Sequence, residues 1–112
     1  MKAYKIVRTT LDGKRVSFLA GCGEVEYIPG QAAVPIEGNG PLCVFRTLEQ
    51  CHTYLQDWEI PHEIWICDCT RSRAETQWYT TVDGYRETGY SWQGFEGAVL
   101  VDSVTLLGEV YA

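Results

Sequence analysis

Several features that would place this chain in a specialised class are absent from its sequence. No apolar run approaches the roughly 20 residues needed to cross a bilayer, and the first residues lack the apolar segment of a signal peptide. Only 9 Lys and Arg stand against 15 acidic residues, which gives a formal net charge of −6. Nucleic-acid binding requires basic side chains that neutralise phosphates. We therefore expect a cytoplasmic protein that binds neither membrane nor nucleic acid.

Motifs for catalysis and metal binding are also lacking. The sequence contains no P-loop, no Gly-x-Gly-x-x-Gly, no His-Glu-x-x-His and no Gly-x-Ser-x-Gly. Its five cysteines form no Cys-x-x-Cys pair, the usual unit of a zinc site. The closest two, Cys67 and Cys69, lie in an apolar stretch, where a thiol behaves as a small buried hydrophobe. We predict reduced thiols that pack in the core, with no metal, no cofactor and no catalytic residue. These absences weigh against an enzyme.

The residues that are present describe one globular domain. A chain of 112 residues with 46% apolar side chains can bury a core without metal or disulfides. Short β-branched and aromatic runs alternate with Gly and Asp turns, which is typical of strands. We predict a single α+β domain over residues 1–112. Its mostly antiparallel, twisted β-sheet has about six to eight strands, with one main α-helix at about residues 48–58 packed on one face.

The first predicted hairpin lies at Asp12-Gly13, between strands at 4–10 and 14–20. Asp-Gly favours a two-residue turn, because Gly accepts the positive φ that such a turn requires. A turn of this length fixes which side chains share a face of the hairpin. We predict one face formed by four of them: Val7, Thr9, Val16 and Phe18.

Three signals support the helix prediction: one at its N-terminus, one along its length and one at its C-terminal limit. Thr47 and Gln50 form a capping box, which satisfies two backbone N–H groups that a helix start leaves unpaired. Pro61 excludes helix beyond it. Four apolar residues recur between these limits at helical spacing: Leu48, Cys51, Leu55 and Trp58. The flanking runs 42–45 and 63–69 are apolar on both faces and are predicted as buried strands.

Aromatic residues crowd the segment 78–95, where Asp83-Gly84 predicts a second hairpin. Such rings offer a large contact area with few rotamers to freeze, which suits a binding surface. The same composition also suits cross-strand pairs that stabilise a small sheet. Arg71 and Arg73 precede the segment and can clamp an anionic group, or form solvated pairs with neighbouring carboxylates.

These features lead to our first hypothesis, a non-enzymatic binding or assembly module that uses the aromatic-rich C-terminal half. Its partner is a second copy of the chain, as a homodimer, or another protein. The predicted binding residues are Trp78, Tyr85, Tyr90, Trp92, Arg71 and Arg73.

A second hypothesis comes from a resemblance. The run from Gly40 to Glu49, the helix after it and the strand at 64–67 resemble ADP-ribosyltransferase-type folds, in which a buried strand ending in Phe-x-Thr leads into a helix and a further strand. Residues 4–8 are similar to the first strand of that fold, which carries an Arg. The resemblance implies a small nucleotide-binding enzyme, or a degenerate relative, that uses Arg8 and Glu109. The chain departs from the family pattern because its Glu-x-Glu lies early, at residues 24–26.

Overall fold

The computed structural model describes residues 1–18, 24–88 and 96–110. The predicted α+β class, a mostly antiparallel arrangement of strands with one main helix, is confirmed. The described residues form eight strands and one helix in this order: β1 (Lys2–Thr9), β2 (Arg15–Ser17), β3 (Ala32–Ala33), β4 (Leu42–Phe45), α1 (Leu48–Leu55), β5 (His62–Arg71), β6 (Trp78–Thr80), β7 (Arg86–Thr88) and β8 (Ala98–Val110). None of the helices in these ranges has the length and apolar character that a membrane span requires.

Four strands of the main sheet pair in a closed ring. β5 pairs with β1 along one edge and with β8 along the other. β4 pairs with β8 over its whole length and meets β1 at Tyr4 and Phe45, so the ring closes at that pair. β2 then extends the edge of β1, and β3 extends that of β8. Both edges of β5 are therefore paired, but its predicted burial on both faces holds only in part, because Ile66 is 38% exposed.

Apolar side chains pack on both sides of this ring. The inner cluster, on the face away from α1, includes the fully buried Val7, Val44, Cys67 and Val101, and the segment 25–33 completes it. The helix-side cluster lies between the sheet and α1. It contains Ile6, Phe18, Phe45, Cys51, Tyr54, Leu55 and Ile64.

The predicted capping box is confirmed, but the helix is shorter than predicted. Thr47 accepts from the backbone N–H of Gln50, whose side chain accepts from the backbone N–H of Thr47. Helix α1 ends at Leu55 rather than near Trp58. The N–H of Trp58 donates to the carbonyl of Leu55 at 3.0 Å, so the chain leaves the helix through a tight turn. The indole still covers the core edge, because it stacks on the ring of Tyr54.

The predicted face of the first hairpin is wrong by one residue. Val7 pairs with Ser17 and Thr9 with Arg15, so Val16 and Phe18 lie on the opposite face from Val7 and Thr9. The reason is the loop length. The N–H of Thr10 donates to the carbonyl of Lys14 at 3.0 Å, which closes a three-residue loop that ends at Gly13 with φ of 82°. A three-residue loop of this kind shifts the pairing that a two-residue turn would set.

Candidate functional site

An open cleft lies where β5 ends and β8 begins. Residues 71–75 and 98–100 line it, around a volume of about 450 Å³. Arg71 is paired with Val101 in the sheet, and the N–H of Ser72 donates to the carbonyl of Leu100 at 2.9 Å. The Ser72 hydroxyl accepts from the N–H of Ala74 at 3.0 Å, which turns the chain. Backbone pairing therefore holds the short segment that carries Arg71 and Arg73.

Both arginines of the cleft are available to a ligand. Arg71 and Arg73 are exposed, and neither forms an ion pair with any residue in the described ranges. Glu75 is the carboxylate that also lines the cleft. A guanidinium presents five N–H donors in a planar fork that matches a carboxylate or a phosphate. The cleft can therefore hold an anionic group with two or more charge-assisted hydrogen bonds.

The second predicted hairpin is confirmed, and it forms a separate two-stranded sheet of β6 and β7. The N–H of Thr81 donates to the carbonyl of Tyr85 at 2.7 Å, so this loop also has three residues and ends at Gly84 with φ of 86°. The hairpin begins at Trp78, close in the chain to the cleft wall. Tyr85 is 73% exposed, so its ring is not core.

The hairpin is fixed to the rest of the protein through residues 38–41. The N–H of Gly40 donates to the carbonyl of Trp78 at 2.8 Å, and the N–H of Thr80 donates to the side chain of Asn39 at 3.1 Å. The indole of Trp78 lies directly against Gly40, and the guanidinium of Arg86 stands 4.6 Å from the indole centroid. Trp78 therefore has a structural role, since it anchors the hairpin to residues 38–41.

Gly40→Ala should detach this hairpin, because the added methyl group would overlap the six-membered ring of Trp78. We expect the backbone amides of residue 40 and Thr80 to exchange with solvent at least tenfold faster, with a smaller effect on the amides of β5. Hydrogen exchange followed by NMR measures this. Gly108→Ala is the matched control, since its added methyl group meets no atom within 4 Å. Unchanged protection at Thr80 in Gly40→Ala would contradict the packing described here.

The structure thus brings some of the predicted binding residues together. Arg71 and Arg73 share one cleft, and the hairpin that carries Trp78 and Tyr85 follows it in the chain. Trp78 and Tyr85 do not line the cleft wall. The other two predicted binding residues, Tyr90 and Trp92, lie outside the described residues.

Two features of the structure were missed by reasoning from the sequence. The first is a ring cluster beside α1, in which Phe18 lies edge-on to Tyr54 at 6.0 Å and to Trp58 at 5.4 Å between centroids. Its members are far apart in the sequence, so no local concentration of aromatic residues indicated the cluster. The second is Lys5, which is buried although Lys is rarely buried without a partner. Its position between Ala3 and Val7 on an alternating strand was the available signal.

The cysteines in the described ranges are buried free thiols. Burial raises the pKa of Cys43, Cys51 and Cys67 to about 12, which outweighs the opposite effect of the nearby Lys5. His62 lies at the opposite end of β5 from Cys69, roughly 23 Å along the strand. No three metal-ligating side chains converge within the part of the chain that the structure describes.

The two residues implied by the ADP-ribosyltransferase resemblance do not meet. Arg8 lies on β1 and Glu109 on β8, and β5 runs between these strands. Arg8 pairs with His62 and Glu109 with Trp65, so their backbones are separated by two strand spacings and by three residues along the strands, roughly 14 Å in all. The guanidinium of Arg8 also donates to the carboxylate of Glu24. Nothing in the described contacts joins them into one site.

Comparison with known proteins assigns the chain to no family, so its description rests on the fold and the site. No protein-family model, no curated protein and no solved structure matches the chain. What the residues define is a small antiparallel α+β protein with an arginine-lined cleft and an attached aromatic hairpin.

Proposed function

We propose that this chain is a non-enzymatic binding module whose binding surface consists of the Arg71–Arg73 cleft and the β6–β7 hairpin. Its partner presents carboxylate side chains, on another protein or on a second copy of this acidic chain. The observation that carries the proposal is the pair of exposed arginines in one cleft, neither ion-paired within the described residues.

The hairpin supports the proposal through its exposed tip. Val82 is fully exposed and Tyr85 is 73% exposed, while the base of the hairpin is fixed by its contacts with residues 38–41. Because the base of the hairpin is already fixed, less backbone entropy is lost when its exposed tip binds a partner. Positive charge in the cleft and an apolar ring on the hairpin together suit an acidic segment that also carries an apolar residue.

Charge removal in the cleft tests the proposal. The probe is a fluorescein-labelled peptide of alternating Glu and Leu, and the readout is fluorescence anisotropy at low salt. Each of Arg71→Gln and Arg73→Gln should weaken binding about tenfold, since a hydrogen bond to a charged group contributes about 1.5–3 kcal/mol. Tyr85→Ala should weaken it further. All three residues are exposed, so the melting temperature should barely move.

Lys14→Gln provides the matched control for net charge. Lys14 is an exposed cation next to the β1–β2 loop, at the opposite end of the main sheet from Arg71. Its removal should change the affinity less than twofold. An equal loss in Lys14→Gln and Arg71→Gln would show attraction by overall charge rather than a site, and would refute the proposal. Sedimentation equilibrium of the same variants shows whether a second copy is the partner, since a dimer formed through the cleft is lost in Arg71→Gln.

The nucleotide-binding hypothesis is separated from this proposal by a second probe. A thermal-shift titration with NAD and related nucleotides should leave the melting temperature of the wild-type protein unchanged. A ligand at about 100 times its dissociation constant would add about 2.7 kcal/mol of stability, which such a titration detects readily. A shift that is lost in Arg8→Gln but retained in Arg71→Gln would favour the nucleotide-binding alternative.

A further inference from the structure

Lys5 occupies a position where a charge is costly. It lies on β1 between Ala3 and Val7, which belong to the inner cluster, and it pairs in register with Trp65 of β5. Its side chain is only 7% exposed. Moving an ammonium from water into such surroundings costs several kcal/mol unless its charge and its three N–H groups are compensated.

The described partners of Lys5 compensate it only in part. Its Nζ donates to the carbonyl oxygen of Cys43 at 2.8 Å and stands 5.2 Å from the centroid of the Tyr27 ring. None of the ion pairs within the described residues includes Lys5. The neighbouring carboxylate in the sheet register, Glu63, accepts instead from Arg15 at 2.7 Å and from the Trp65 indole at 3.0 Å. Two of the three N–H groups of the Lys5 amine therefore have no acceptor among the described residues, and no carboxylate there pairs with its positive charge.

Tyr27 contributes a second uncompensated group at the same place. Its side chain is 2% exposed and belongs to the inner cluster. Its phenolic hydroxyl is buried and has no hydrogen-bond partner among the described residues. A buried donor without an acceptor destabilises the folded state, because the hydrogen bond that it makes to water in the unfolded chain is not replaced. The hydroxyl of Tyr27 therefore lacks an acceptor, and Lys5, whose amine stands beside the ring of Tyr27, has one acceptor for three N–H groups.

We propose that Lys5 and Tyr27 form a binding site for a small monovalent anion in the inner cluster of the protein. The amine stands 5.2 Å from the centroid of the Tyr27 ring, and one acceptor about 3 Å from each of two donors can bridge donors up to roughly 6 Å apart. A neutral acceptor would satisfy the hydrogen bonds but would leave the charge of Lys5 unbalanced. A small anion such as chloride or formate supplies both the acceptor and the charge.

The test compares anions at constant ionic strength. Thermal unfolding is followed in sodium gluconate, whose anion is too large to be buried there, and then in mixtures in which chloride or formate replaces gluconate. At about ten times its dissociation constant the bound ion should raise the melting temperature of the wild-type protein by about 5 °C. Lys5→Met and Tyr27→Phe should each reduce this rise to less than about 1 °C. Tyr27→Phe removes only the hydroxyl and keeps the buried ring. If Lys5→Met does not fold, Tyr27→Phe alone decides whether the rise depends on the proposed site.

The cleft is the competing anion site, and it has its own control. The double variant Arg71→Gln and Arg73→Gln should keep the full rise in melting temperature. A rise that disappears in this double variant but persists in Lys5→Met would place the ion in the cleft and refute the inner site. Equal melting temperatures of the wild-type protein in chloride, formate and gluconate would also refute it, without bearing on peptide binding in the cleft.

Discussion

Phe45→Ala is expected to lower the free energy of unfolding by about 3–5 kcal/mol, a large part of the 5–15 kcal/mol typical of a domain. The side chain is 3% exposed, and its ring centroid lies 5.3 Å from that of Tyr54 in α1. Its backbone pairs with Tyr4 on one side and Ala98 on the other, where the ring of strands closes. Truncation therefore leaves a cavity between helix and sheet at the closing pair. Urea unfolding followed by far-UV circular dichroism measures the change.

Tyr85→Ala is the control for this prediction, because it also removes an aromatic ring. Its exposed position predicts a change within about 0.5 kcal/mol. The pair of variants separates aromatic residues that pack from those that are available for binding. A loss below about 1 kcal/mol for Phe45→Ala would show that the helix does not pack on this closing pair.

Alkaline pH should destabilise the protein steeply, through its buried thiols. Burial raises the pKa of Cys43 from 9.0 to about 12 in the folded protein. Below pH 9 the thiol is protonated in both states and its contribution to stability is complete. Above pH 9 the unfolded chain loses this proton while the folded chain keeps it, so stability falls until about pH 12. The cost from Cys43 is about 1.4 kcal/mol per pH unit, or roughly 2 kcal/mol by pH 10.5.

The slope of stability against pH identifies the thiol. Cys51 and Cys67 shift in the same direction for the same reason, so the total slope is steeper than that of one group. The informative quantity is the difference in slope between the wild-type protein and a variant that lacks one thiol, because every other group contributes to both. Urea titrations from pH 8 to 10.5 give the free energy of unfolding at each pH. Its slope against pH should be shallower for Cys43→Ala than for the wild-type protein, by the amount that corresponds to about one proton. Identical slopes would mean that Cys43 ionises as readily in the folded state as in the unfolded one.

Local patterns predicted the elements whose causes are local. The Thr47–Gln50 capping box, the wholly buried strand at 42–45 and the second hairpin all depend on neighbours in the chain. The end of α1 was predicted three residues late, since Pro61 limits where a helix can reach and does not determine where it stops. The first hairpin failed in register because Asp-Gly fits both a two-residue and a three-residue loop.

Long-range features could not be predicted in this way. The ring closes through the pairing of Tyr4 with Phe45, and this contact has no signature in either segment. The same holds for the placement of Lys5 over the ring of Tyr27. For the candidate site, the sequence indicated Arg71 and Arg73 but not that residues 98–100 of β8 would line the same cleft.

The side-chain Nε–Hε resonances of arginine give the most direct test of the proposed binding surface. Titration of the ¹⁵N-labelled protein with the unlabelled Glu-Leu peptide should shift the resonances of Arg71 and Arg73 together, with one dissociation constant. The resonances of Arg8 and Arg15, which already have carboxylate partners, should not move. Shifts confined to Arg8 and Arg15, or no shift at saturating peptide, would contradict the assignment of the cleft as the binding site.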